Sequence, residues 1–446
     1  MSKFIAPRAP KGFRDFLPDT MLRRNYVIDI ITEEFHRFGF EPIDTPILEL
    51  HETLFGKYGE DAEKLIFTAQ HGRSAREPLA MRYDLTVPLA RIIGQYESQL
   101  NLPFKRYHIA PVFRGERPQR GRYREFWQCD ADTVGIASIS ADAEIVSLMH
   151  RILRRLGFPQ YVIKINHRQL LVAIGEFSGV PAAQLPDLYR SVDKFDKIGA
   201  DGVRRELTER GIAADALARM MDLIQAKEPG TSSLDLIADA IGANASGLKD
   251  LRELADLLAD AGLPPERYDF DFTMVRGLGY YTGPIFETVI SEPNLGSVTG
   301  GGRYDNLIGM FRRQSLPTTG TSFGIERIID LMDELDLYPA HLGGTLVQAL
   351  VTVFSDETSS ASMRIADTLR QAGINTELYL ETRKLGRQFA YADKKGIPLV
   401  AIAGPDEIEA GVVKLRRLRD GQEVTVLIPD LAAVARNLLA ERGTSG

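Results

Sequence analysis

The run Phe113-Arg114-Gly115-Glu116-Arg117-Pro118-Gln119-Arg120-Gly121-Arg122-Tyr123-Arg124-Glu125-Phe126-Trp127-Gln128 concentrates positive charge in a chain that is acidic as a whole, with a net charge of −7. From Lys105 to Arg124, seven Lys or Arg stand against one acid, Glu116. Strand-like residues at Tyr107–Val112 precede a turn-prone centre, Arg117-Pro118-Gln119-Arg120-Gly121, so the spacing predicts a basic β-hairpin. Alternation along its first arm puts Arg114 on the same face as Glu116. A guanidinium there could hold a phosphoryl oxygen with two donors and stabilise charge that grows as phosphorus becomes five-coordinate. Taken alone, the run reads equally as a solvated basic turn, because surface charge is common.

Working outward, 446 residues exceed one ordinary domain and supply ample core. A composition of 44% hydrophobic and 26% charged residues excludes wholesale disorder. Cys129 is the single cysteine and the seven histidines are scattered, so neither disulfides nor a structural metal site is expected, and a cytoplasmic location is. The first residues lack the apolar run of a signal peptide, and no stretch approaches the roughly 20 apolar residues of a membrane span. With overall negative charge, a nucleic-acid partner would have to be held by local basic patches. A P-loop hydrolase is excluded because Gly-x-x-x-x-Gly-Lys-Ser/Thr does not occur.

Apolar residues Leu22, Tyr26, Ile30 and Phe38 recur at helical spacing between Pro18-Asp19 and Gly39, which predicts an amphipathic helix. It leads into an extended edge segment, Phe40–Leu50, whose Pro42 and Pro46 would be awkward in a central ladder. A second helix is expected at about Ala141 to Leu156, with Ile145, Met149 and Ile152 on one face. Residues from about 170 to 260 show several helical patterns and no chemical motif, which suggests an inserted helical module. After Asp333-Glu334-Leu335-Asp336 the pattern changes. An apolar run at Leu346–Phe354, a helix near Glu357–Ala372, a strand at Thr376–Leu380, another helix, and Leu399–Ala403 predict a small α/β domain. Near its end, Asp420-Gly421 between Val412–Leu418 and Val424–Ile428 predicts a hairpin in which both turn residues take positive φ.

Four further stretches carry polar or glycine-rich patterns: Met81–Arg91 with Asp84 and Thr86; Val275-Arg276-Gly277-Leu278-Gly279-Tyr280-Tyr281; Gly300-Gly301-Gly302-Arg303-Tyr304-Asp305; and Gly320-Thr321-Ser322-Phe323-Gly324-Ile325-Glu326-Arg327. Glycines in the last two permit close backbone approach to a ligand.

Together with Arg114–Phe126 and the opening Lys11-Gly12-Phe13-Arg14-Asp15-Phe16-Leu17-Pro18, these stretches resemble the histidyl-tRNA synthetase family of class II aminoacyl-tRNA synthetases over nearly the whole chain. Arg114–Phe126 resembles motif 2, the helix and edge segment ending at Pro46 resemble motif 1, and Gly320–Asp330 resembles motif 3. The stretch from Arg276 to Tyr281 resembles the signature peculiar to the histidine enzymes. One departure is Gly279, where family members often carry an acid.

The resemblance implies an α+β catalytic domain over 1–335, an antiparallel sheet flanked by helices. The insertion at about 170–260 interrupts it, and a C-terminal α/β anticodon-binding domain follows over 343–446. It implies a ligase that activates L-histidine with ATP and Mg²⁺ and transfers it to histidine tRNA, acting as a homodimer with no membrane or DNA partner. By resemblance, Arg114 and Arg276 are catalytic, and Arg114, Glu116, Arg122 and Arg327 bind ATP. Asp84, Leu85, Thr86, Gln128, Asp132, Arg276, Tyr280 and Tyr281 bind histidine, Asp132 through the ring N–H. Arg117, Gln119 and Arg120 would meet the tRNA acceptor end.

From Thr345 to Gly446, 13 Lys or Arg offset 13 Asp or Glu, so contact with tRNA there would rest on local groups such as Arg383, Lys384, Arg387, Lys414 and Arg416. A second reading is the catalytically silent paralogue that serves as a regulatory subunit of ATP phosphoribosyltransferase. The arginines at 114, 276 and 327 weigh against it.

Overall fold

Two paired ten-residue strands organise the larger unit: Phe104–Phe113 alternates in burial, and Glu125–Val134 is buried continuously from Gln128 onward. The structure is a computed structural model that describes residues 5–440 except 59, 72–73, 193, 226–230, 276–279, 340–341 and 343. Strands Glu41–Pro42 (β1), Phe104–Phe113 (β2), Glu125–Val134 (β3), Val162–His167 (β4), Tyr268–Phe270 (β5), Pro284–Val289 (β6), Thr299–Arg303 (β7) and Thr318–Gly324 (β8) form one sheet. Their order is β1-β2-β3-β8-β7-β6-β4-β5. Every neighbouring pair is antiparallel except β1–β2 and β4–β5 at the two edges. Pro42 sits in the edge strand opposite Tyr107, where its missing N–H interrupts no interior ladder.

The helix Pro18–Arg37 starts at the expected proline and buries Val27, Ile30, Ile31 and Phe35. Helix Ile139–Arg155 begins two residues earlier than its spacing suggested, because the Ser138 side chain caps it by accepting from the Ser140 N–H at 3.2 Å. Its buried face carries Ile145, Met149 and Ile152, as expected. Between β4 and β5 the described residues form the α-helices Arg168–Phe177, Leu185–Val192, Phe195–Glu209, Ala214–Ile224, Ser232–Ile241 and Leu248–Asp260. The last packs on Ile139–Arg155, which anchors the helical insertion to the catalytic half. Strands Leu48–Leu50, Thr68–His71 and Ser74–Met81 make a separate three-stranded sheet.

By its internal contacts the chain divides into two compact units, Met1–Asp15 with Arg24–Leu337, and Phe16–Arg23 with Tyr338–Gly446. In the second, Ala349–Val351 (β9), Thr376–Leu378 (β10), Leu399–Ile402 (β11), Val412–Arg417 (β12) and Glu423–Leu427 (β13) form a mixed sheet in the order β10-β9-β11-β12-β13. Helices Ser359–Gln371 and Leu431–Ala440 share a core with it that includes Ile365, Leu369, Leu415 and Leu438. The hairpin differs from expectation. Its last backbone bond runs from the Arg417 N–H to the Gln422 carbonyl, so the loop has four residues and only Gly421 takes positive φ, at 71°. The Asp420 carboxylate holds this loop, bonded to Arg417 Nη2 at 2.7 Å and accepting from the Gln422 N–H at 3.1 Å. The hydrogen bond from Arg417 draws its pKa down to about 2.

Candidate active site

The middle of the large sheet, where β3, β8 and β7 lie side by side, is the floor of a cleft. Along β3 the side chains of Gln128, Asp130 and Asp132 share one face by alternation, and all three are buried and line the cleft. The neighbouring strands contribute only small residues, Thr299, Gly300 and Gly301 from β7 and Gly320, Thr321, Ser322 and Gly324 from β8. A Cβ built on Gly320 of β8 would lie 2.0 Å from Asp132 Oδ1, and one on Gly301 of β7 would lie 2.1 Å from the Gly320 carbonyl. Backbone therefore forms much of the floor, and the side chains of β3 and the flanking loops do the contacting.

Asp84, after strand Ser74–Met81, is buried at the start of helix Thr86–Tyr96. Its Oδ1 accepts from Tyr58 Oη at 2.8 Å and from the Val87 and Thr86 N–H groups at 3.1 and 3.2 Å. Its Oδ2 is buried with no hydrogen-bond partner among the described residues, an acceptor open to a ligand ammonium. Burial raises this carboxyl's pKa, against the lowering effect of its hydrogen bonds. Leu85 is fully buried, and its carbonyl accepts from Arg106 Nη2 at 3.3 Å. Gln128 donates to Ser322 Oγ at 2.7 Å and keeps Oε1 buried without a partner.

Asp132 is held on both oxygens. Tyr304 Oη donates to Oδ1, and the fully buried guanidinium of Arg106 lies 2.7 Å from Oδ2. Burial raises its pKa while Arg106 opposes. Tyr280 and Tyr281 both line the cleft, with ring centroids 4.9 Å apart. They precede β6, so they do not point to opposite faces of a strand. Tyr280 also meets Tyr304 edge-on at 5.6 Å. Arg276 and Gly279 lie outside the described residues.

The cleft's mouth is basic. Arg114, just past the end of β2, donates from Nε to the Tyr83 carbonyl at 3.1 Å. Its guanidinium lies 4.4 Å from the Tyr83 ring centre and 5.0 Å from that of Phe126. Two aromatic faces thus fix the group while its terminal nitrogens remain available to the cleft that it lines. Beyond it, Glu116 pairs with Arg122 at 3.1 Å, and Gln119 and Arg122 exchange backbone bonds of 2.9 Å around Arg120-Gly121. Arg117, Gln119, Arg120 and Arg122 are exposed, and Arg120 is engaged by Glu334.

Arg327 comes from helix Ile325–Glu334, directly after β8. It donates to the Gly121 carbonyl at 3.0 Å and the Ser297 carbonyl at 2.5 Å, tying the hairpin to the loop before β7. The preceding Glu326 is buried, accepts from Arg24 Nη1 and the Trp127 N–H at 3.0 Å each, and so fixes the first turn of this helix.

The structure brings together Asp84, Thr86, Gln128, Asp132, Tyr280 and Tyr281 at one end of the cleft and Arg114, Glu116, Arg122 and Arg327 at the other. Of the residues expected at the tRNA acceptor end, none lines it. Sequence reasoning missed Asp130, Arg106, Tyr304 and Ser322 as members of the floor. The alternation Gln128-x-Asp130-x-Asp132 was the available signal for Asp130.

A mostly antiparallel sheet with an arginine just past one hairpin arm, held over an aromatic ring, and a second arginine where a strand runs into a helix matches the class II aminoacyl-tRNA synthetase architecture that the sequence resemblance implied. A histidyl-tRNA synthetase family profile matches residues 12–328, and an anticodon binding domain profile matches residues 348–438. The chain belongs to the histidyl-tRNA synthetase family. It is 42% identical over 434 residues to a histidine–tRNA ligase of Aeropyrum pernix, covering 97% of this chain and 98% of the relative. It is 39% identical over 449 residues to one of Bacteroides fragilis, covering 95% and 98%. The histidyl-tRNA synthetase structure from Nostoc sp. PCC 7120 superposes with a TM-score of 0.85 at 31% identity, over 97% of this chain and all of that one. An ATP phosphoribosyltransferase regulatory subunit/histidyl-tRNA synthetase from Bacillus halodurans C shares the fold alone, with a TM-score of 0.74 at 23% identity over 87% and 97%.

Proposed function

We propose that the cleft activates L-histidine with ATP and passes it to the 3′ end of histidine tRNA. The histidine carboxylate attacks the α-phosphorus of ATP and pyrophosphate leaves; a terminal ribose hydroxyl then attacks the adenylate carbonyl and AMP leaves. The activity follows from family membership and from relatives named histidine–tRNA ligase. One observation carries the assignment of this cleft: an acceptor-rich, buried end and an arginine-rich mouth meet in a single cavity. That polarity suits a substrate with an ammonium and a ring N–H at one end and phosphate at the other.

In this reading Asp84 Oδ2 and Gln128 Oε1, both buried without a hydrogen-bond partner among the described residues, accept from the α-ammonium, with Thr86 lining the same wall; Leu85, expected to bind histidine, is fully buried and does not line the cleft. Asp132 accepts a ring N–H: Tyr304 donates to its Oδ1, while its buried Oδ2, ion-paired with Arg106 at 2.7 Å, has no hydrogen-bond partner among the described residues. Tyr280 and Tyr281 face the flat ring. Arg114 stabilises charge at the α-phosphate, and Arg276 takes the role its family position implies. Arg327, Glu116 and Arg122 hold the nucleotide. Positioning and fixed charge supply the acceleration, since neither step requires a protein nucleophile.

The described residues gather no group of three or more metal-ligating side chains. Mg²⁺ is commonly bound by substrate phosphates with one or two carboxylates, so its proposed role here rests on the family resemblance and on ATP as substrate. The buried Glu116 Oε2, engaged by Arg122 alone, is the carboxylate at the phosphate end. When bound, the ion neutralises the leaving pyrophosphate.

The exposed tip, with Arg117, Gln119 and Arg120, meets the tRNA acceptor end, and the C-terminal unit meets the anticodon through Arg383, Lys384, Arg387, Lys414 and Arg416. The catalytic domain spans 1–335 around the insertion, and the anticodon domain 343–446. Ile47, Leu48 and Leu50, at 43%, 43% and 40% exposure, support a homodimer through the motif 1 edge. A lone buried thiol at Cys129 supports a cytoplasmic setting, and among the described residues no helix is long and apolar enough to cross a membrane.

The test is ATP–pyrophosphate exchange by the purified chain with each of the twenty amino acids, without tRNA. Exchange with histidine alone is expected; histidine binding without exchange would favour a regulatory subunit instead.

A further inference from the structure

Asp130 is a carboxylate that the mechanism above does not use. It stands on β3 between Gln128 and Asp132, on the same face, is 2% exposed, and lines the cleft. Its Oδ1 is buried with no hydrogen-bond partner among the described residues, while Ser322, its register partner on β8, donates to the carboxyl. Leaving such an oxygen unsatisfied is costly unless a ligand completes it.

Its neighbours limit how much charge it can carry. Across β2 stand Arg106 and His108, and along its own strand stands Asp132. Asp84 and Arg82 face it from the loop before helix Thr86–Tyr96, and Tyr280 from the loop before β6. Arg106 is committed to Asp132 at 2.7 Å, and Arg82 to the Pro111 and Thr45 carbonyls at 2.8 and 2.7 Å. His108 is held largely neutral, its pKa lowered to about 4 by burial and by the two arginines. Three buried acids therefore share little compensating charge.

We propose that Asp130 is a specificity-determining residue for histidine, its free carboxyl oxygen meeting the ring nitrogen that Asp132 does not engage. The proposal rests on the functional reading above. A neutral imidazole offers one N–H donor and one bare acceptor nitrogen. Asp132, charge-balanced by Arg106, is the acceptor for the N–H; Asp130, carrying a proton, is the donor to the bare nitrogen. Burial supports that protonation: it lifts the Asp130 pKa to about 7, against the pull of Arg106. A floor with one donating and one accepting carboxyl reads both ring nitrogens at once. It rejects an apolar side chain because Asp130 Oδ1 and Asp132 Oδ2 would then stay buried without a hydrogen bond.

The experiment compares Asp130→Ala and Asp130→Asn with wild type by histidine-dependent pyrophosphate exchange at pH 6 to 8.5. Asp130→Ala is expected to raise the histidine KM tenfold or more while leaving the ATP KM within twofold. Asp130→Asn keeps an N–H donor and is expected to stay within threefold of wild type at pH 7. Its histidine KM should no longer climb above pH 7, as that of wild type does when Asp130 loses its proton. An unchanged histidine KM in Asp130→Ala, or an Asn variant as impaired as the Ala variant, would overturn the proposal.

Thermal melting gives a readout independent of catalysis. A raised folded pKa makes the wild type bind more protons folded than unfolded, so this group's contribution to stability falls as pH rises from about 4 to about 7. The Asn variant should therefore gain in Tm relative to wild type between pH 5 and pH 8; a constant difference would also count against a protonated Asp130. If wild type itself shows no histidine-dependent exchange, the functional reading fails, whatever the variants do.

Discussion

The two ends of the cleft solve opposite electrostatic problems. The floor buries Asp84, Asp130 and Asp132 with Arg106 as the fully buried counter-charge, and its chemistry depends on who holds the protons. The mouth presents the guanidinium groups of Arg114, Arg122 and Arg327, the first set against two aromatic faces and the last on backbone carbonyls. A floor of weak acids can discriminate between rings; a mouth of fixed charge can stabilise a phosphoryl transition state at any physiological pH. On the proposed function, selectivity for the amino acid and acceleration of the reaction are assigned to different residues and should separate under mutation.

The largest expected effect is at the mouth. Arg114→Ala should lower the exchange rate by roughly 10²–10³-fold, in kcat more than in the histidine KM. A variant that lost only histidine affinity would merge the two ends and break the comparison.

Next comes the floor's geometry. Gly320→Ala places a methyl 2.0 Å from Asp132 Oδ1 and 2.7 Å from the Ala131 carbonyl, so Asp132 must move. Calorimetric titration should find histidine binding weakened tenfold or more in this variant; wild-type affinity would mean the floor has slack that the contacts deny.

Arg327→Ala should raise the ATP KM about tenfold, a smaller change because backbone bonds to Gly121 and Ser297 already occupy part of its guanidinium. The smallest effect is beyond the cleft. Arg117→Ala, at the exposed tip, should leave pyrophosphate exchange unaltered and slow tRNA charging several-fold, with the difference from wild type shrinking as salt is raised. Equal slowing of both reactions would move the tip into the activation site.

The mouth was the more legible end in the sequence. Its arginines come in a run whose turn chemistry and charge density stand out locally, and Arg327 follows a glycine-rich strand that ends in a helix. Half the floor was legible too, since Asp84, Gln128, Asp132 and the two tyrosines were named from their stretches. Arg106 and Tyr304 were not, because what defines them is pairing across strands. Arg106 meets Asp132 through the β2–β3 register, and Tyr304 reaches it from 172 residues away. In the C-terminal unit, helix Leu431–Ala440 was not anticipated. The hairpin turn was misread because an arginine–aspartate clamp shapes its loop, a side-chain interaction that turn propensity does not encode.

Where Gly301 and Gly320 lie back to back, the depth of the cleft is set by peptide backbone. Substitution can make such a floor shallower but never deeper. A redesign for a bulkier amino acid would have to widen the cleft through its aromatic walls at Tyr280 and Tyr281, because even a methyl on either glycine would meet Asp132 or backbone.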